Sequence, residues 1–155
     1  MQGQELRHLM RRLPAPVCVL TIVHEGRPTG LTVGSFVSLS LDPALVGVSI
    51  SRQAQLHELL RETDTFAVNV LGAAQDGVAQ HFARSVPPIA MWSGIPLRVG
   101  TEPPLIEGCV GWLTYRRAHD VPAGDHTFFV GEVESVEQGD PGPALAYVGQ
   151  KYVSL

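Results

Sequence analysis

The chain has 155 residues, and 17% of them are charged, against about 25% in typical soluble domains. A net charge of -4 without a basic cluster excludes an electrostatic surface for nucleic acid, and no apolar run approaches the ~20 residues that span a bilayer. A hydrophobic content of 45% excludes a disordered chain. A length of 155 residues is that of one ordinary domain, so residues 1–155 are predicted to form a single domain. The shortage of charge indicates either a hidden subunit interface or a lightly charged surface.

The first predicted elements are a short helix and two strands. Leucine and methionine recur at helical spacing over residues 4–13, which predicts an amphipathic helix ended by Pro14. β-Branched residues fill 17–23 and predict a strand, and a turn at 24–27 leads into a second strand near Pro28. The amino-terminal residues lack the basic-then-apolar layout of a signal peptide, so we expect a cytoplasmic protein with no membrane partner.

The remaining elements are short strands and small helices. Apolar and β-branched runs predict strands over residues 45–50, 65–70, 108–116, 126–136 and 144–148. Helical spacing of apolar residues predicts helices at 54–61 and 73–84, and a proline-rich connection covers 85–107. The βα alternation, the GxGxxG motif and the P-loop of nucleotide-binding α/β folds are absent. The pattern therefore favours a closed β-barrel with a few short helices attached.

Two cysteines and six histidines define no metal or hydrolase motif. Cys18 and Cys109 lie in apolar, strand-like surroundings outside any CxxC or Cys/His set, which predicts reduced core thiols, with a disulfide as the alternative. The histidines lack metal-ligand spacing, so no metal is predicted. No GxSxG motif or Cys/His arrangement points to a hydrolase.

Residues 30–41 are the most informative segment because, as one strand, they would present two very different faces. The apolar face, predicted to be core, contains Leu31, Val33, Ser35, Val37, Leu39 and Leu41. The other face contains Gly30, Thr32, Gly34, Phe36, Ser38 and Ser40. Small residues and hydroxyls without charge allow a planar ligand to approach the backbone and bind polar groups. The alternative is a strand packed tightly against another sheet or subunit.

Two further segments could bind or orient a substrate. Residues 49–55 join a strand to the next predicted helix, where backbone N–H groups and Arg52 could hold an anion. The alternative is an ordinary loop capped by Ser51. His126 follows Asp125 at the start of a strand, where it could orient a substrate amide or relay a proton. The alternative is a structural Asp-His pair.

Five segments, in this order along the chain, resemble the flavin reductase family, the small reductase components of two-component flavin monooxygenases. They are residues 16–21 (PVCVLT), 30–43 (GLTVGSFVSLSLDP), 66–71 (FAVNVL) followed by Gln75 and 81–83 (HFA), 124–133 (GDHTFFVGEV) and 149–152 (GQKY). The resemblance covers residues 6–155 and implies a mainly β split barrel with Greek-key topology that binds FMN. It also implies a homodimer with the flavin sites close to the subunit interface.

The resemblance implies an NAD(P)H:flavin oxidoreductase that transfers a hydride from NADH or NADPH to FMN or FAD and supplies a separate oxygenase. The residues implied at the flavin ring are Thr32, Val33, Gly34 and Ser35, with Ser38 nearby. Those implied at the ribityl chain and phosphate are Ser49, Ile50, Ser51, Arg52 and Gln55. Phe82 is expected to border the flavin, and Tyr152 to cover the dinucleotide. His126 is expected to position the nicotinamide without donating a proton.

The sequence departs from the family pattern at two places. Gly34 stands where an asparagine is common, which removes a side-chain hydrogen bond near the flavin. Ala54 and Leu56 stand where many members have serine and threonine near the phosphate, so phosphate binding would rest on backbone N–H groups, Arg52, Ser51 and Gln55. A flavin-binding redox sensor or carrier without reductase activity, and a split-barrel flavin-dependent oxygenase, are the alternative functions.

Overall fold

Antiparallel strands organise the protein. In the computed structural model, which describes residues 2–84 and 86–155, they form a seven-stranded and a three-stranded sheet. The strands are β1 (Ala15–Pro16), β2 (Cys18–His24), β3 (Arg27–Val33), β4 (Val37–Leu41), β5 (Ala44–Ser51), β6 (Thr65–Val70), β7 (Gly111–Ala123), β8 (His126–Gln138), β9 (Leu145–Val148) and β10 (Lys151–Ser154). The α-helices are α1 (Gln2–Met10), α2 (His57–Arg61) and α3 (Asp76–Ala83). The mainly β fold with a few short helices is confirmed.

The order of strands in the large sheet is β3-β2-β6-β7-β8-β5-β4, and in the small sheet β1-β9-β10. Within residues 2–84 and 86–155 no ladder joins the end strands β3 and β4, as befits a split barrel rather than a closed one. Ser35, in the connection between them, reaches β5 instead. Its hydroxyl donates to the Ser49 carbonyl at 2.8 Å and accepts the Ser49 N–H at 3.0 Å. At the opening between β3 and β4, the Ser35 side chain therefore makes the two hydrogen bonds to β5 that a paired strand residue would otherwise make.

The single strand predicted over residues 30–41 is wrong. β3 ends at Val33 and β4 begins at Val37. The intervening residues leave the ladder, and Phe36 packs against the core instead of lying on the opposite face. Alternation therefore restarts after the break, and three residues predicted to be core are exposed. They are Val37, Leu39 and Leu41, at 42%, 46% and 90% exposure.

The core consists of two clusters that lie on opposite faces of β2. Leu20 and Ile22 belong to the cluster around Phe66, whereas Val17 and Val19 belong to the cluster around Phe82. This two-sided burial explains the uninterrupted apolar run that predicted the strand. Cys18 and Cys109 are buried free thiols, as predicted, and burial raises the pKa of each to about 12.

Buried polar groups fix the proline-rich connection that was predicted over 85–107. Its first residue, Ser85, lies outside the described residues, as does Met1. Further along, the Thr21 hydroxyl donates to the Pro104 carbonyl at 2.7 Å, and the Asn69 side-chain oxygen accepts the Ile106 N–H at 2.7 Å. The connection is therefore held against the sheet by hydrogen bonds from β2 and β6.

The predicted helices and strands differ from the observed ones mainly in length. The helices predicted over 54–61 and 73–84 are shorter, and β7 and β8 extend into a long hairpin. β1 and β10 were not predicted. Across the described ranges 2–84 and 86–155, no helix combines the length and the apolar character that crossing a membrane requires.

Candidate functional site

Two adjoining cavities lie along β3 and share Ala83. The first, called here the turn cavity, has a volume of about 390 Å³ and is lined by Gly30, Leu31, Gln53, Ala54, Gln55, Leu56, Phe82, Ala83, Arg84, Val86 and Met91. The second, called here the tyrosine cavity, has a volume of about 250 Å³ and is lined by Ala15, Pro16, Val17, Thr32, Val33, Gly34, Ala83, Tyr147 and Tyr152. Gly30 and Leu31 of β3 therefore line the turn cavity, and the next two residues, Thr32 and Val33, line the tyrosine cavity.

Helix α3 packs on β3 through the small residues of that strand. A Cβ atom at Gly30 would lie 3.0 Å from the Phe82 ring, so glycine is what allows the ring to approach the strand. The Thr32 hydroxyl donates to the Ala79 carbonyl at 2.7 Å and thereby ties the strand to the helix. Gly30 and the Thr32 hydroxyl therefore serve tight packing of the strand against a neighbouring element, and not contact with a ligand. Gly34 differs, because it is exposed and opens on the tyrosine cavity.

The predicted flavin residues divide between the two cavities and the adjoining strand β5. Thr32, Val33, Gly34 and Tyr152 line the tyrosine cavity, and Gln55 and Phe82 line the turn cavity. Ser49, Ile50, Ser51 and Arg52 run from β5 into the turn that borders the turn cavity. Ser35 is bonded to Ser49, and Ser38 is exposed on β4 and lines neither cavity.

Several of these side chains already have structural partners. The Ile50 side chain is buried in the first core cluster, so it offers only its backbone. The Ser51 hydroxyl accepts the Gln53 N–H at 3.2 Å, which shapes the start of the turn. The Arg52 N–H donates to the Asp125 carbonyl at 2.9 Å, while the Arg52 side chain is exposed. The turn therefore presents Arg52 and Gln55 to solvent from a fixed backbone.

His126 stands at the first position of β8, opposite Ser51 of β5. Its Nδ1 atom lies 2.7 Å from an Asp125 carboxylate oxygen, and the side chain is 41% exposed. The hydrogen bond from His126 lowers the pKa of Asp125 below its usual value. Because a carboxylate can only accept, Nδ1 carries the proton and Nε2 is left to hydrogen-bond a ligand.

Two tyrosines form one wall of the tyrosine cavity. Tyr147 and Tyr152 are direct cross-strand partners of β9 and β10, with ring centroids 4.9 Å apart. The hairpin turns through Gly149 and Gln150, both with positive φ (59° and 63°), as in the two-residue turns that suit a twisted hairpin. Burial raises the pKa of Tyr152. Tyr147 was not predicted from the sequence; the five-residue spacing of two tyrosines around a glycine turn was the available signal.

The cavities suit a planar aromatic ligand that carries an anionic tail. The tyrosine cavity has aromatic and apolar walls. The turn cavity includes Arg84 and adjoins the exposed Arg52, so positive charge is available for a phosphate. Among residues 2–84 and 86–155, no cluster of three or more His, Cys, Asp or Glu side chains could hold a metal ion.

Comparison with known proteins gives one consistent result. The model of the flavin reductase like domain matches residues 10–155. An NADH-dependent FAD reductase of Streptomyces globisporus is 35% identical over 152 residues, which are 96% of this chain and 83% of that protein. The reductase component of 4-hydroxyphenylacetate 3-monooxygenase from Thermus thermophilus is 32% identical over 152 residues, 98% of this chain and 96% of that one.

Solved structures agree with the sequence relatives. The S. globisporus C-1027 NADH:FAD oxidoreductase, in complex with NAD and FAD fragments, has a TM-score of 0.89 at 32% identity and covers 97% of this chain and 90% of its own. The flavin reductase HpaC complexed with NADP+ has a TM-score of 0.87 at 27% identity, covering 99% of this chain and 97% of that one. The matched residues include those that line both cavities.

Proposed function

The chain belongs to the flavin reductase like domain family, and we propose that it is an NAD(P)H-dependent flavin reductase that transfers a hydride to FMN or FAD. The observation that carries the proposal is the pair of cavities along β3, one with aromatic walls and one lined by Arg84 and by the residues that follow the exposed Arg52. Similar proteins are NADH-dependent FAD and flavin reductases. We assign the activity to residues 1–155 acting as one domain.

The flavin ring is assigned to the tyrosine cavity and its tail to the turn cavity. Thr32, Val33 and Gly34 offer the ring a backbone surface, while Ser35 shapes that surface through its bonds to Ser49, and Ser38 flanks it on β4. Ser49, Ile50 and Ser51 lead the ribityl chain toward Arg52 and Gln55, which hold the phosphate. Phe82 borders the flavin from α3. Positive charge beside the turn cavity supports this direction for the tail.

The dinucleotide is assigned to the open side of the same site. Tyr152 covers it, and His126 positions the nicotinamide through Nε2, because Asp125 holds Nδ1. Bound flavin supplies the hydride acceptor, and the chain itself contributes orientation. Holding two reactants in the right geometry can supply about 7–11 kcal/mol of the reduction in barrier.

Steady-state assays test the proposed activity directly. NADH and NADPH are each combined with FMN and FAD, and oxidation of the dinucleotide is followed in air. Oxidation that requires both the protein and a flavin is the expected result. Tight flavin binding without any oxidation of either dinucleotide would contradict the proposal and favour a flavin-binding sensor or carrier.

Replacing Gly34 by asparagine is expected to tighten flavin binding by about 2- to 10-fold, the worth of one net hydrogen bond. The Cβ atom would lie 3.6 Å from both the Ala15 Cβ atom and the Pro16 carbonyl oxygen, which is ordinary contact, so the fold should tolerate the side chain. Flavin fluorescence titration measures the dissociation constant. Gly77→Asn, on open helix surface, is the control. Unchanged or weaker binding in Gly34→Asn would separate Gly34 from the flavin.

A second subunit is proposed to cover the uncharged surface. The apolar residues Val37, Leu39 and Leu41 lie on β4, whose outer edge has no partner strand within residues 2–84 and 86–155. Helix α1 also exposes the apolar residues Leu6, Leu9 and Met10, and Leu13 in the turn after it is exposed as well. Exposed apolar surface of this extent supports a homodimer. Light scattering at micromolar concentration should give twice the chain mass, and a monomer would contradict the assignment.

A separate oxygenase component is the proposed recipient of the reduced flavin. The T. thermophilus relative is the reductase component of a monooxygenase, and a structurally similar protein is the reductase component of a two-component tryptophan halogenase. Both cavities open at the surface of the chain, which supports exchange of the flavin. Reduced flavin that stays bound through repeated turnovers would contradict this role.

A further inference from the structure

A buried histidine, His57, connects the segment that lines the turn cavity to the strand that carries His126. His57 is the first residue of α2 and is only 3% exposed. Its Nε2 atom lies 2.7 Å from the hydroxyl oxygen of Thr127, and its Nδ1 atom lies 2.9 Å from a carboxylate oxygen of Glu58. Thr127 is also buried and directly follows His126 in β8. Neither residue was predicted as part of the site from the sequence.

The hydrogen bonds at this point hold both flanks of His126. On one side, the Asp125 carbonyl accepts the Arg52 N–H at 2.9 Å. On the other side, the Thr127 hydroxyl meets His57. Both partners belong to the short segment that begins with the turn after β5 and ends in α2. The backbone that carries His126 is therefore tied twice to the segment that lines the turn cavity.

The requirements of helix α2 alone do not account for this arrangement. The helix has five residues, and its N-cap residue Leu56 makes no side-chain cap. The position of the helix depends on packing and on what its first residue binds. His57 makes a tilted contact with Phe129 at a centroid distance of 5.8 Å, which a leucine or phenylalanine could also make. A buried imidazole with both nitrogens engaged adds a directional link that an apolar side chain lacks.

The partners also fix the tautomer of the neutral ring. The Glu58 carboxylate can only accept a hydrogen bond, so Nδ1 of His57 carries a proton. In the neutral ring Nε2 then accepts the hydroxyl proton of Thr127. The Glu58 carboxylate is shared with Arg61 at 3.3 Å, so the network ends at the solvent-exposed face of α2.

We propose that His57 is a positioning residue which, through the Thr127 hydroxyl, holds His126 in the orientation that binds the dinucleotide. This inference rests on the proposed function, because it needs His126 to contact the nicotinamide. Neither His57 nor Thr127 contacts the substrate in this role. Loss of their hydrogen bond weakens dinucleotide binding to the same extent before and during hydride transfer, and so raises KM more than it lowers kcat.

Thr127→Val is the main test because valine keeps the shape of threonine and removes only the hydroxyl. We expect KM for NADH to rise about 5- to 10-fold, the worth of one buried hydrogen bond, with kcat within about twofold of the original protein. Thr127→Ser restores the hydroxyl and should return KM to within about twofold of the original value. Thermal melting checks that each variant is folded.

His24→Gln is the matched control, since His24 is also a histidine paired with a glutamate, at 2.9 Å, but lies at the end of β2 away from His126. It should leave KM unchanged. His57→Leu combined with Thr127→Val should be no worse than either change alone, because both remove the same bond. An unchanged KM in Thr127→Val, or an equal rise in Thr127→Ser, would overturn the positioning role.

Calorimetric binding of NAD+ keeps this inference separate from the proposed activity. A weaker affinity in Thr127→Val that is restored in Thr127→Ser supports the positioning role even when no turnover occurs. Turnover by the original protein with identical NAD+ affinity in all variants overturns the inference and leaves the reductase proposal intact. Absence of binding of both NAD+ and NADP+ together with absence of turnover by the original protein overturns both.

Discussion

Replacing His126 by alanine is expected to lower kcat/KM for NADH by about 10- to 100-fold, which corresponds to one hydrogen bond to a charged or strongly oriented group. The ring is 41% exposed, and the adjacent carboxylate of Asp125 fixes its orientation. The side chain supports no core contact, so the fold and the flavin affinity should be preserved. Stopped-flow mixing with NADH measures the effect, and flavin titration of the same variant confirms that the flavin site is intact.

Two companion variants decide whether the loss belongs to His126 itself. His126→Gln keeps a hydrogen-bonding group near the same place and should recover part of the activity. His119→Ala removes an exposed histidine of β7 that the site does not use, and should behave like the original protein. Unchanged kinetics of His126→Ala with both NADH and NADPH would remove this residue from the dinucleotide site.

Replacing Gly131 by alanine is expected to destabilise the protein by about 3 kcal/mol, the upper range for forcing atoms into a packed core. Gly131 lies on β8, an interior strand of the large sheet, and is paired with β5 on one side and β7 on the other. A Cβ atom there would come within 2.3 Å of the Arg116 carbonyl oxygen and of the Tyr115 ring. One of these obstacles is backbone and the other is a fully buried side chain, so neither can move without distorting the sheet.

Thermal unfolding measures this effect, with an expected fall in Tm of about 6–12 °C for a chain of this size. Gly77→Ala is the control, because its Cβ atom would meet nothing within 4 Å. The control should change stability by no more than about 1 kcal/mol. A melting temperature of Gly131→Ala equal to that of the control would show that the sheet relaxes easily at this position.

The sequence predicted the central strands best. β6 has the predicted bounds, and β5 differs from its prediction by one residue at each end, because continuous apolar runs mark strands buried on both faces. The break between β3 and β4 was not predicted because alternation continues in the letters across residues 34–36 while the backbone leaves the ladder. At that break Phe36 packs against the core and Ser35 is bonded to β5.

The sequence predicted which positions lie at the candidate site better than it predicted which side chains are free to bind a ligand. Residues 32–34, Phe82 and Tyr152 do line the cavities. The hydroxyls of Thr32 and Ser35 were expected to face a ligand, but their partners, Ala79 and Ser49, come from other elements. His57 was missed because its partner Thr127 is 70 residues away in the chain. Single-sequence patterns carry no information on such pairs.

The shortage of charge has two physical sources. Residues 45–50 contain no charged side chain; β5 is paired with its own neighbours β4 and β8, and Val46, Val48 and Ile50 are core. Their lack of charge follows from burial within the chain. The exposed apolar residues of β4 and α1 form the surface that we propose a second subunit covers.

The reductase assignment is tested most directly by mixing the protein and a stoichiometric amount of FMN or FAD with NADH in the absence of oxygen. The account predicts that the visible absorbance of the flavin bleaches while one NADH is consumed per flavin, and that air restores the flavin absorbance. The same mixture without protein should react far more slowly. A bound, oxidised flavin that keeps its absorbance in the presence of both NADH and NADPH would contradict the account.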